Sequence, residues 1–338
     1  MKHKKRWIVL MSFLVVYLVL AFFPRPQNVE GSNPMLTSGD LPLLIAHGGG
    51  NREFPDNTLE AYYHAYSVDP NVMLETDVSL TKDGVVLLSH DTTLDHKTNL
   101  QYADIIDLNY TDLMADEVDF GYDNPTSGGY NTTGELIPYV DYLGNSVTPL
   151  DVTYPEGVEA RHSSKFLATT LEDLIVQFPN NKINVEIKQS GETGLSALAA
   201  VIELMETYDD EYNTFSRIVI ASFHEEVYQE MLQIKSNDHP ELMFSPESDS
   251  VTRFFVLKTL GLDVFYFDQV AVFQVPISQS GIELDTKTFI NALHRHNIAV
   301  HYWTVNDPDE MRLLIEYGAD GIMTDIPSLL KQVFEEYQ

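Results

Sequence analysis

From residue 43 to its end the chain repeats one unit, an apolar strand-like run followed by a helical pattern. Leu43–Ala46 is a short apolar run that closes on His47 and three glycines. A helix is expected over Thr58–Val68, with Asn57 as N-cap and Glu60 placed as in a capping box. Val72–Leu80 alternates like a strand, and the Thr81-Lys82-Asp83-Gly84 turn folds Val85–Ser89 back beside it as a hairpin extension. Further strands are predicted at Lys182–Lys188, Arg217–Ser222, Leu242–Ser245, Asp263–Phe267, Ile298–Thr304 and Asp320–Thr324. Helices are expected between and after them, at Leu195–Tyr208, Glu225–Lys235, Ser250–Leu260, Asp285–His296, Asp309–Tyr317 and Ser328–Tyr337. Counting the hairpin once gives eight strands. Repeated strand–helix units imply a parallel sheet, and eight of them over roughly 250 residues predict an α/β fold closed as a (β/α)8 TIM barrel. The stretch 91–165 breaks the rhythm. Rich in Asp, Tyr, Gly, Asn, Thr and Pro, it reads as an insertion after the second barrel strand that caps one mouth.

The N-terminus reads differently. Residues 2–6 are Lys-His-Lys-Lys-Arg, and the 17 residues Trp7–Phe23 carry no charge before Pro24-Arg25-Pro26. This pattern predicts a cytoplasmic basic leader (1–6), a transmembrane signal anchor (7–23), a tether (24–40) and a barrel (41–338) held outside the cytoplasm at the cell membrane. A cleaved, secreted form is the second choice. With 51 acids against 20 Lys+Arg the net charge is -31. Such a surface repels phosphate backbones, so nucleic acid is excluded as a general ligand, and an anionic substrate needs a local exception such as a metal ion. Cysteine is absent, which removes disulfides, thiolate chemistry and Cys-ligated zinc.

In a (β/α) barrel the site forms where the strands end. His47 ends the first strand. Glu75 and Asp77, two apart on the second, share one face, and Glu186 and Lys188 do the same on the third. His90-Asp91 ends the hairpin partner. Trp303 and Asn306 lie at the end of the seventh strand, and Thr324-Asp325 at the end of the eighth. Glu75, Asp77 and Glu186 aimed into one cavity would repel one another, and a hard divalent cation, Ca²⁺ or Mg²⁺, resolves that repulsion. His47 and His90 beside such a cation suit general acid–base chemistry. His301 shares a strand face with Trp303 and reads as structural.

Taken in order, these blocks resemble the glycerophosphodiester phosphodiesterase family. The resemblance is carried by Ala46-His47-Gly48-Gly49, Pro55-Asp56-Asn57-Thr58-Leu59-Glu60-Ala61, Glu75-Thr76-Asp77-Val78, Ser89-His90-Asp91 and Val185-Glu186-Ile187-Lys188. Later blocks are Ala221-Ser222-Phe223, Trp303-Thr304-Val305-Asn306 and Gly318 to Pro327. It spans about residues 43 to 330. It implies a metal-dependent barrel that hydrolyses glycerophosphodiesters to sn-glycerol 3-phosphate and an alcohol. It implies His47 and His90 as the acid–base pair and Glu75, Asp77 and Glu186 as metal ligands. Lys188 is implied as a phosphate contact, Trp303 as a wall against the glycerol carbons, and Asn57 as a further substrate contact.

One departure stands out. The family pattern is His-Arg-Gly, where the Arg contacts phosphate, and this chain has Gly48 there. Arg52, four residues on, is expected either to supply the missing bidentate donor or to be a surface arginine. Two rival readings follow. One is a lysophospholipase D or sphingomyelinase D-like enzyme acting on membrane phospholipids. The other is a catalytically weak module that binds an envelope polymer, and glycerol-phosphate polymers are themselves possible substrates.

Overall fold

The computed structural model describes every residue except 1, 28, 30, 38, 40, 95, 96, 101, 102, 123–136 and 280. Its centre is a parallel barrel. The strands are β1 (Leu43–Ala46), β2 (Met73–Leu80), β3 (Val86–Leu88), β4 (Ile183–Ile187), β5 (Ile218–Ala221), β6 (Met243–Phe244), β7 (Val272–Val275), β8 (Ala299–Tyr302) and β9 (Gly321–Thr324). In space they run β6-β5-β4-β2-β1-β9-β8-β7, and β3 pairs antiparallel on β2. The seam between β6 and β7 is bridged by the Ala271 amide donating to the Phe244 carbonyl at 3.1 Å. Helices shield the outside, among them Gly191–Tyr212, Glu225–Asn237, Ser248–Thr259, Lys287–His294, Pro308–Tyr317 and Pro327–Glu335. All eight residues of β2 are buried, as expected for a strand covered on both faces.

Two expectations shift locally. The sixth strand is Val272–Val275, not Asp263–Phe267, where the chain makes a single 3-10 turn at Asp263–Phe265. In that turn the Asp263 carboxylate is clamped by Arg25 (2.9 and 2.7 Å). The helix Leu59–Val68 is capped by Thr58, whose hydroxyl accepts from the Ala61 amide at 3.3 Å, and not by Asn57. Asn57 adopts a left-handed conformation (φ 56) and spends its side chain elsewhere.

The N-terminal helix corrects the membrane expectation. It spans Lys2–Phe22, so the basic positions lie inside it, and only the sixteen residues from Trp7 to Phe22 are charge-free helix. At about 1.5 Å per residue these cover ~24 Å, short of a ~30 Å hydrocarbon core. Among the described residues no helix is long and apolar enough to cross a membrane, which overturns the single-pass anchor and the location built on it. The helix leans on the barrel instead, with the Tyr17 hydroxyl donating to the Leu260 carbonyl at 3.0 Å.

The segment after it, expected as a tether, is packed against the barrel floor. Arg25 is buried against Asp263. The Asn33 amide donates to the Ala271 and Asn297 carbonyls (2.7 and 2.9 Å), and Asn297 returns its amide to the Val29 and Gly31 carbonyls. Met35 is fully buried and joins Ile45, Met73, Val219, Met243, Val272 and Met323 in the apolar plug inside the barrel. The floor is therefore closed, and the open end is the one where the strands finish.

Candidate active site

A cavity of about 240 Å³ opens at the C-terminal ends of the strands, with His47, Glu75, His90, Glu186, Lys188 and Trp303 in its wall. Strand pleating explains the acid trio. Glu75 and Asp77 are two apart on β2, and Asp77 lies beside Glu186 on β4 in the parallel register. Ligand-competent oxygens of Glu75, Asp77 and Glu186 all lie within 4.8 Å of one another. Burial raises the Glu75 carboxyl to about 8, helped by the charge of Asp77. Burial and Asp77 raise Glu186 in the same direction. Asp77 goes the other way. Burial opposes its charge, but Lys188 and His90 pull it down to about 2. Three oxygen donors crowded in this way fit a hard divalent cation, which would offset both the burial of these carboxylates and their mutual repulsion.

Lys188 bridges the acids, its Nζ 2.8 Å from Glu186 Oε1 and 3.2 Å from Asp77 Oδ1. Burial opposes the Lys188 charge, yet Asp77 and Glu186 hold its pKa above the ordinary range. Asn57 serves the same acids from behind. Its carbonyl oxygen accepts from the Asp77 amide, the Thr76 hydroxyl and the Tyr62 hydroxyl, and its amide donates to Asp77 Oδ2 at 3.1 Å. Asn57 thus steadies a carboxylate, and the structure gives no contact from it to the cavity.

The two histidines stand at neighbouring strand ends. His90 Nδ1 lies 3.0 Å from Asp91 Oδ1, and that hydrogen bond raises its pKa against the effect of burial. His47 Nδ1 lies 2.7 Å from Asp325 Oδ1. Burial disfavours its charge, but Glu75 and the bond to Asp325 raise the imidazole to about 10. Asp325 is itself fixed: Asn306 donates to its second oxygen at 2.6 Å and accepts from its backbone amide at 3.0 Å. Sequence reading had set Asp325 and Asn306 at strand ends but assigned them no partner. The pairing of β1 with β9, which barrel closure requires, brings position 325 to position 47, and only the structure shows the side chains meeting there.

The Gly48 departure has a structural basis. Gly48 has φ +55, and a Cβ there would lie 2.8 Å from Asp56 Cβ, so this loop has no room for the family's arginine. The Gly48 amide donates to Glu75 Oε2 at 2.7 Å. Arg52 sits at the rim, 42% exposed, with Nε 3.9 Å from Asp325 Oδ2. The insertion braces this loop. Lys97 pairs with Asp56, Arg161 with Glu60, and the Tyr142 amide donates to the Arg52 carbonyl at 2.7 Å. Trp303 meets Phe223 edge to face, centroids 6.0 Å apart, at the opposite wall.

The fold is a (β/α) barrel with clustered carboxylates and two histidines at its strand ends. Residues 47–329 match the Glycerophosphoryl diester phosphodiesterase family, so the chain belongs to that family and is a hydrolase of glycerophosphodiesters. Among curated relatives, Lysophospholipase D GDPD1 of Homo sapiens is 26% identical, with 97% of each chain covered. Probable glycerophosphodiester phosphodiesterase 2 of Mycobacterium tuberculosis is 23% identical, over 88% of this chain and 96% of that one. The fold is shared with a putative glycerophosphoryl diester phosphodiesterase from Silicibacter pomeroyi (TM-score 0.61, 19% identity, 90% of this chain and 96% of that one). It is also shared with an Oleispira antarctica phosphodiesterase solved in complex with the product sn-glycerol-3-phosphate (TM-score 0.59, 18% identity, 87% and 97% covered).

Proposed function

We propose that residues 41–338 hydrolyse glycerophosphodiesters to sn-glycerol 3-phosphate and an alcohol with one divalent cation, Ca²⁺ or Mg²⁺, and with His47 and His90 as the acid–base pair. The carrying observation is the buried acid trio facing two histidines across one small cavity. Glu75, Asp77 and Glu186 would hold the cation, whose chemistry is to neutralise charge on the non-bridging phosphate oxygens. Lys188 adds a fixed positive charge beside those oxygens. The bond from His47 Nδ1 to Asp325 leaves Nε2 as the working nitrogen of that ring. One histidine takes a proton from the attacking water, and the other gives one to the departing alkoxide. Trp303 walls the glycerol carbons, and Arg52, free to swing from its long contact with Asp325, meets the phosphate at the rim.

The test uses the full chain. After EDTA treatment, glycerol 3-phosphate release from glycerophosphocholine is followed with Ca²⁺ or Mg²⁺ restored. Metal-restored release is expected, and His47→Ala or His90→Ala should each reduce kcat by ~10²–10⁴-fold. Release that ignores EDTA, or near-wild-type turnover in either variant, overturns the reading. A second reading is supported by the lysophospholipase D relative. Choline release from lysophosphatidylcholine that exceeds release from glycerophosphocholine would favour it.

A further inference from the structure

Asn184 in the cavity wall is not used by the proposed chemistry. Asn184 is two residues below Glu186 on β4 and level with Glu75 in the register, so it points into the barrel. It is only 2% exposed. Its single hydrogen bond among the described residues crosses the barrel, where Gln274 Nε2 on β7 donates to Asn184 Oδ1 at 2.8 Å. Gln274 also faces the cavity. Each carboxamide has an NH₂ and a carbonyl, so one mutual bond leaves an NH₂ group on one partner and a carbonyl oxygen on the other without a protein partner. This holds whichever way the amides are turned. Asn184 is nearly buried and Gln274 half-buried, so the open amide groups face the cavity, where a ligand or water meets them. Below them lies the apolar plug of Met243, Val272 and Met323.

We propose that the Asn184–Gln274 pair is the specificity floor of the site, reading the two hydroxyls of the glycerol moiety. The inference rests on the glycerophosphodiester reading and adds an orientation to it. A hydroxyl both donates and accepts, so a vicinal diol answers an open NH₂ and an open carbonyl together. A phosphate does not, because the amide carbonyl would face its oxygens. The charged end of the substrate therefore belongs beside Lys188, and the glycerol end points down. The leaving alcohol then emerges past Phe223, which is exposed at the rim.

The experiment compares two diesters in the full chain supplied with Ca²⁺: glycerophosphocholine, which has the diol, and bis(p-nitrophenyl) phosphate, which lacks it. In Gln274→Met, kcat/KM for glycerophosphocholine should fall roughly 10- to 100-fold, the effect of stranding one buried polar partner. The value for bis(p-nitrophenyl) phosphate should stay within about threefold, because that substrate never meets the pair. Equal losses on both diesters, or no loss on either, overturn the proposal. A measurement without any variant guards against misfolding. Calorimetric binding of glycerol 3-phosphate to the wild-type chain should be at least about tenfold tighter than that of ethyl phosphate, and equal affinities overturn the assignment. Failure of the function itself has a different signature: wild-type protein that releases nothing from glycerophosphocholine.

Discussion

At the mouth of the barrel, Glu75, Asp77 and Glu186 are pressed within 4.8 Å of one another with Lys188 among them. At the floor, Asp263 is just as buried but is met by Arg25 at 2.7 Å, Arg295 at 3.1 Å and His296 at 3.4 Å. The same scaffold thus treats buried acid in two ways. The floor acid has more than enough positive partners, and its pKa falls: burial opposes the charge, and His296 and Arg25 outweigh burial. At the mouth burial, with the charge of Asp77 added to it, raises Glu75. A structural site satisfies its charges within the chain, whereas a site left short of cations is poised to take one from outside. If this contrast is right, substitutions at the mouth should cost turnover and spare stability, and substitutions at the floor should do the reverse.

At the mouth the test falls on Asp325. Asp325→Asn keeps the shape but cannot hold the His47 Nδ1–H as a carboxylate does, so kcat should fall about 10²-fold or more while the thermal midpoint moves little. The double variant His47→Ala/Asp325→Asn should be no slower than His47→Ala alone, since Asp325 acts through that ring. Additive losses in this cycle would mean that Asp325 touches the reaction by another route.

How much of this was legible beforehand divides along the same line. The mouth is built from residues at fixed short spacings, such as Glu75 and Asp77, or Glu186 and Lys188, and strand periodicity alone turns these inward. The barrel and the acid trio were therefore readable from the chain. The floor is built from contacts between distant positions. Asn33 reaches Asn297 and Arg25 reaches Asp263, more than 230 residues away, through side-chain bonds that no local pattern encodes. A Pro, Gly, Ser and Asn-rich stretch consequently read as a tether, and an alternating run at Asp263–Phe267 read as a strand. The leader failed for a different reason. Counting uncharged residues gave 17, but the helix starts at Lys2 and ends at Phe22, so helical apolar length, not composition, was decisive. Gly48 was seen as a departure, but its cause, the left-handed backbone packed on Asp56, belongs to the loop.

An effect of similar size in free energy, but on the other axis, is expected at Arg25. Arg25→Met leaves Asp263 buried with weaker partners and should cost about 3 kcal/mol of stability. The kcat of the folded fraction should be unchanged. Adding Asp263→Asn should restore part of the loss if uncompensated charge is the cause. Urea titrations of the three variants decide the point, and a fall in kcat at constant folded fraction would erase the separation between the two ends.

The smallest effect is a pH dependence, and it sharpens the contrast because it puts a titrating group at the floor. His301 lies on β8, fully buried against Gly321. Burial lowers its pKa from 6.5 to about 4. Above pH 6.5 the ring is neutral in both folded and unfolded chains, and it contributes no pH dependence. Between pH 6.5 and 4 the unfolded chain binds a proton that the folded chain refuses, so stability falls as the pH drops. The loss should reach roughly 2 kcal/mol at pH 5. His301→Leu removes this proton linkage, so its stability curve should be flatter than the wild-type curve between pH 7 and 5. Parallel curves for the two proteins would show that His301 is charged, or already relaxed, in the folded state. The acid sensitivity of the chain would then have to come from the mouth.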